Sequence, residues 1–110
     1  MNTKPKPVTR TIPITFFLSQ AEMDTMKGLQ QERGVDASNL VRLAIRIMDE
    51  RNIRAEPVDS QQVRCVTTTI RFAKEDKAIL ARIVKRDKCK QSEVIRFALH
   101  ELHTRGLQFG

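Results

Sequence analysis

The chain has 110 residues, 40% of them apolar and 30% charged, which bounds it to one globular domain with a modest core. A formal charge of +7 and a pI near 10.0 point to a polyanionic partner, nucleic acid first and an anionic membrane second. No apolar run approaches the ~20 residues of a membrane span, the N-terminal MNTKPKPVTR lacks the apolar region of a signal peptide, and Cys65 and Cys89 form no metal or redox motif; the expectation is a cytosolic protein without membrane contact, metal or cofactor.

Residues 1–9, with Lys4, Pro5, Lys6 and Pro7 and no apolar pattern, read as a flexible basic arm. From Arg10 the period becomes two: Ile12, Ile14, Phe16 and Leu18 alternate with Thr11, Pro13, Thr15 and Phe17, a half-buried strand. Ser19 with Glu22 three residues on is a capping box for a helix carrying Met23, Met26 and Leu29. Gly34 suits the left-handed residue that ends it, and Asp36 can cap a second helix with the stripe Leu40, Val41, Ala44, Ile45 and Met48. The methionines read as core filler.

The stretch 54–63 is polar, broken by Pro57, and reads as a linker able to span roughly 30 Å. Beyond it the pattern returns. Val66, Thr68, Ile70 and Phe72 alternate with Thr67, Thr69 and Arg71; Ile79, Leu80, Ile83 and Val84 repeat at helical spacing; after a polar break, Val94, Ile95, Ala98, Leu99 and Leu102 form another stripe. Shifted by 54 positions, the first unit lies on the second without a gap, with Arg10 on Arg64, Thr15 on Thr69, Ser38 on Ser92 and Arg42 on Arg96. One strand and two helices cannot bury their own faces. Two tandem units, 10–53 and 64–107, pairing their strands antiparallel are the economical reading.

Taken together, Thr69-Ile70-Arg71-Phe72 with Ser92-Glu93-Val94-Ile95-Arg96, and Thr15-Phe16-Phe17-Leu18 with Ser38-Asn39-Leu40-Val41-Arg42, resemble the ribbon-helix-helix superfamily of the Arc, MetJ and CopG repressors. Most relatives carry one copy and dimerise; two copies in one chain resemble the accessory DNA-binding proteins of conjugation systems. The resemblance implies an α+β, mostly helical fold, an intrachain pseudo-dimer whose two-stranded ribbon enters the DNA major groove. Base contacts would then fall to Thr11, Thr15, Phe17, Thr67, Thr69 and Arg71. Phosphate contacts would fall to Ser38, Lys88, Lys90, Gln91 and Ser92 at the starts of the second helices, with Arg10 and Arg64 beside the strands. The family's dyad implies Thr15 opposite Thr69. Pro13 has no N–H, so the Pro13–Arg71 pair must then be a non-hydrogen-bonded one. Lys90 corresponds to Asp36 in the first unit, so the second unit is expected to dominate affinity.

No catalytic constellation is placed, and His100 and His103 read as surface residues rather than zinc ligands, so no enzyme is expected. The expected function is sequence-specific binding of double-stranded DNA, as a transcriptional repressor acting on its own operon. The alternative is an accessory protein of conjugation or plasmid partition, with a relaxase as a further partner and chains self-associating on tandem sites. An antitoxin is expected less, because GLQFG follows the last helix directly.

Overall fold

The computed structural model describes residues 11–58 and 62–105. The basic arm 1–9, Arg10, linker residues 59–61 and residues 106–107 lie outside them. Six elements follow in order: β1 (Ile12–Leu18), α1 (Gln20–Arg33), α2 (Ala37–Glu50), β2 (Val66–Phe72), α3 (Lys74–Asp87) and α4 (Gln91–Arg105). The fold is α+β and mostly helical, with four helices and one two-stranded antiparallel sheet. β2, α3 and α4 each begin 54 residues after β1, α1 and α2.

Local chemistry accounts for the boundaries. Ser19 Oγ accepts from the Glu22 N–H at 3.1 Å while Glu22 Oε1 accepts from the Ser19 N–H at 2.8 Å, closing the capping box of α1. Gly34 ends α1 at φ 64°, where a side chain would be strained. Asp36 Oδ1 accepts from the Asn39 N–H at 2.8 Å and starts α2. α3 begins without a side-chain cap at Ala73 and ends at Lys88 in the left-handed region, φ 56°.

The register places Pro13 opposite Arg71, Ile14 opposite Ile70, Thr15 opposite Thr69 and Phe17 opposite Thr67. The Arg71 N–H donates to Ser38 Oγ at 2.9 Å, outside the ladder, so the Pro13–Arg71 pair is a non-hydrogen-bonded one. Two residues along, Thr15 and Thr69 share that close spacing, and their hydroxyls lie 2.9 Å apart. One face of the ribbon is buried through Ile14, Phe16, Leu18, Ile70 and Phe72. The expected inner face thins at the first residue of each strand: Ile12 is 36% exposed and Val66 half-buried, although Phe72 and Leu18 opposite them are fully buried.

Under the ribbon, Leu40, Val41, Ala44, Ile45 and Met48 of α2 meet Val94, Ile95, Ala98, Leu99 and Leu102 of α4, all buried. α1 adds Met26 and Leu29, and α3 adds Leu80 and Ile83; Met23, Ile79 and Val84 pack at the margin. The start of the linker is docked. Ala55 is buried and its N–H donates to Asp87 Oδ2 at 2.7 Å, while Arg86 Nη2 donates to Ile53 O at 2.7 Å.

Thr68 is the one threonine on the buried face, and its hydroxyl there has no hydrogen-bond partner. An unpaired buried hydroxyl costs stability that an isosteric methyl does not. Thr68→Val is expected to stabilise the fold by about 1 kcal/mol and raise Tm by about 4 °C in thermal unfolding. A second expectation concerns acid. The Arg86 hydrogen bond, helped by the Ala55 N–H, outweighs burial and holds the Asp87 carboxyl below its ordinary pKa. For Glu22, burial pushes the other way, but the Arg64 hydrogen bond and the Ser19 N–H together leave it lowered too. Carboxylates depressed in the folded state contribute stability above their unfolded pKa of about 4 and lose it as the pH falls through the folded values. Urea midpoints are therefore expected to be steady from neutral pH down to about pH 5 and to fall below about pH 4, less steeply in Asp87→Asn.

Candidate nucleic-acid interface

The alternation that buries one face of the ribbon exposes the other. Thr11, Pro13, Thr15 and Phe17 of the first strand region, and Cys65, Thr67, Thr69 and Arg71 of the second, are all exposed. Antiparallel pairing gathers them into a two-row strip with the Thr15–Thr69 hydroxyl pair at its centre. Phe17 is 51% exposed, an aromatic ring held in water on a strand with a buried face available to it. Arg71 sits across from Pro13 with its guanidinium outward; Nη1 donates to Thr11 Oγ1 over a long 3.5 Å. The six residues assigned by sequence to base contact thus share one surface.

Of the equivalent arginines Arg42 and Arg96, which the sequence marked by their 54-residue spacing and within the resembling motifs, Arg96 secures the strip from beneath. Arg96 Nη1 donates to the Phe17 carbonyl at 3.1 Å, tying α4 to the end of β1. Arg42 bonds Asn39 Oδ1 near the start of α2. Ser38, also at that start, accepts the Arg71 N–H and so fixes β2 to α2. Its hydroxyl proton remains available to donate.

The two helix starts flanking the strip differ chemically. At α2 the Asp36 carboxylate occupies the first-turn N–H of Asn39. At α4 the corresponding residue is Lys90, whose ammonium has no acceptor to offer those amides. Glu93 Oε1 takes the Lys90 N–H itself at 2.7 Å, and Gln91 Oε1 accepts from Lys77 Nζ at 2.6 Å. Lys88 and Lys90 are both exposed beside this start, with Ser92 half-buried in the first turn. A cation pair next to first-turn amides on the positive end of a helix dipole suits an oxyanion.

Arg64 is placed elsewhere. It forms a two-pronged pair with Glu22, Nε to Oε1 at 3.0 Å and Nη2 to Oε2 at 3.0 Å, and Nη2 also donates to Val58 O at 2.6 Å. Those partners lie on α1 and the linker, so Arg64 acts as a latch between them rather than as part of the strip. Arg10 falls outside the described residues. His100 and His103 are exposed on α4, and among the described residues no cluster of three or more histidine, cysteine or acidic side chains is arranged to hold a metal ion. Cys89 is buried, its Sγ donating to Ala55 O at 3.5 Å, and burial pushes its thiol pKa up. No helix among the described residues is long and apolar enough to cross a membrane.

No family model matches this chain, and neither a curated protein nor a solved structure matches it.

Proposed function

We propose that this chain binds double-stranded DNA sequence-specifically as a single-chain ribbon-helix-helix protein, two tandem units forming a pseudo-dimer whose ribbon lies in the major groove. The observation that carries the reading is the register: it sets Thr11, Thr15, Phe17, Thr67, Thr69 and Arg71 on one exposed face of a ribbon whose other face is buried. A two-stranded ribbon is the width the major groove admits, and that groove is where base edges are distinguishable. Arginine suits guanine O6 and N7; threonine methyls and the Phe17 ring suit thymine methyls. The charge of +7 supplies the electrostatic attraction.

The left-handed backbone of Lys88 supports the same reading. Its counterpart, Gly34, adopts this conformation freely, whereas a lysine there is strained by about 1 kcal/mol. Strain at a residue is understandable where the side chain does something else. A lysine beside the start of α4, where the Lys90 side chain offers no acceptor, would neutralise a phosphate, with Lys90, Gln91 and Ser92 completing the contact and Ser38 marking the weaker, Asp36-capped equivalent. In this reading the protein is a repressor that occupies its promoter. An accessory role in conjugation or partition uses the same surface, and the genes neighbouring its own would separate the two.

The test begins by selecting duplexes from a random pool and measuring their affinity by fluorescence anisotropy over a salt series. One motif is expected to be enriched. Arg71→Ala is expected to cost about 1–3 kcal/mol and to relax preference at one base pair. A uniform loss over all duplexes would make Arg71 a phosphate contact, and no enrichment at all would remove the reading. Lys88→Gly separates fold from function: it is expected to stabilise the protein by about 1 kcal/mol in urea, yet to weaken every duplex and lower the salt slope by about one. Unchanged DNA affinity in Lys88→Gly would take α4 out of the interface.

A further inference from the structure

Between α1 and α4, beside the end of β1, lies a cavity of about 130 Å³ walled by Leu18, Thr25 and Leu99 with Glu22 and Arg96 at its polar edge. The residues 54 positions on show how an equivalent place is filled. There Asp76 is buried, takes a 2.6 Å bond from Arg46 Nε, and lies 4.0 Å from Arg42 Nε. Ile79, the counterpart of Thr25, packs against the core.

In the first half these parts are redistributed. His100 stands where Arg46 would, and Glu22, the counterpart of Asp76, is already engaged by the Ser19 N–H and by both prongs of Arg64. Arg96, the counterpart of Arg42, is left without a carboxylate. Among the described residues it forms no ion pair within 4.0 Å, Nη1 holds only a carbonyl, and its buried Nε has no partner. Burial first, and the neighbouring charge of Arg64 second, depress the Arg96 guanidinium pKa, outweighing the opposite pull of Glu22 and Glu93, neither of which pairs with it directly.

We propose that this cavity binds a small organic carboxylate, its charged end on Arg96 and its aliphatic or aromatic body against Leu18, Thr25 and Leu99. The size fits: an engineered apolar cavity of about 150 Å³ accepts benzene. The sign of charge fits as well, because Glu22 is paired with Arg64 while Arg96 forms no ion pair within 4.0 Å among the described residues. The occupant lies one side chain from the ribbon, since Arg96 holds the Phe17 carbonyl. Any influence on DNA rests on the reading above; the binding itself does not.

The probe is benzoate, titrated into the full chain without nucleic acid and followed by calorimetry and amide chemical shifts, with benzyl alcohol as the neutral comparison. Saturable binding is expected below about 10 mM, with shifts centred on Leu18, Thr25 and Leu99 and benzyl alcohol at least about ten-fold weaker. Arg96→Gln is expected to bring benzoate down to the level of the alcohol. Thr25→Ile, which installs the residue found 54 positions on, is expected to abolish binding of both while leaving the circular dichroism spectrum and Tm intact, so the test survives a poorly folding Arg96 variant. Equal affinity for benzoate and benzyl alcohol, shifts centred elsewhere, binding undiminished in Thr25→Ile, or no saturation would each overturn the proposal, and none of them bears on whether the chain binds DNA.

Discussion

A two-stranded ribbon can bury one face and no more, and it exists here only if residues about 54 apart in the chain meet. Among the described residues β1 has no other strand to pair with, and neither has β2. Once Ile14 faces Ile70, the alternation fixes everything above and below it: Phe16, Leu18 and Phe72 go down onto the helices, while Thr15, Phe17, Thr69 and Arg71 go out. A slip of one residue would reverse one strand, exposing its large apolar side chains and burying threonines or Arg71. The buried face therefore polices the register of the exposed one. An outer surface that needs its side chains at fixed spacing obtains that spacing from packing it does not share.

The polar contacts reinforce this dependence. Thr15 meets Thr69, Phe17 O meets Arg96, Glu22 meets Arg64, Ser38 meets the Arg71 N–H, Arg46 meets Asp76, Asp49 meets Arg82, and Ala55 meets Asp87. Six of these join a residue before the linker to one after it, and the seventh joins the linker's own Ala55 to α3. In the Arg46–Asp76 pair the carboxylate is buried and the arginine half exposed, so desolvation of Asp76 offsets much of the attraction, but losing Arg46 would strand a buried charge. The effect of these contacts is to penalise alternative dockings of the two halves. The helices can form from local contacts, whereas the ribbon and these pairs wait on closure of the linker.

Much of the fold was legible because it follows from period and caps. The switch from alternation to helical spacing marked both strands, the capping box at Ser19 and Glu22 and the glycine at 34 bounded α1, and Pro13 constrained the pairing. What was not legible is long-range and polar. Nothing local distinguishes Asp76, which is buried under Arg46, from an ordinary first-turn acid that suits a helix dipole. Asp87 and Ala55 meet only because the linker folds back. Arg64, at the matching place to Arg10 and next to a strand, reads as a phosphate ligand until Glu22 is found within 3.0 Å of it. Ile12 keeps the inner-face parity yet is 36% exposed while Phe72 opposite it is fully buried, and parity alone does not report how completely each position is covered.

The departures from equivalence between the halves are as informative as the equivalence. Were the two ends of the ribbon alike, Gly34 and Lys88 would be the same residue, as would Asp36 and Lys90, and Phe17 and Arg71. Because the strands run antiparallel, the features cross over: Arg71 lies beside the Asp36-capped start of α2 through Ser38, while Phe17 lies against α4, whose start carries Lys88 on a left-handed backbone and Lys90. A partner that met both ends equally would gain nothing from this division. A polyanion with direction, whose two half-sites differ in composition, would be held in one orientation by it, because reversing it moves each cation off the half it suits. A chain holding both halves can keep such a difference, whereas two identical subunits related by a dyad cannot. If the exposed strip is the DNA surface proposed above, joining the halves in one polypeptide would do more than raise their effective concentration: it would let the two ends of that strip specialise.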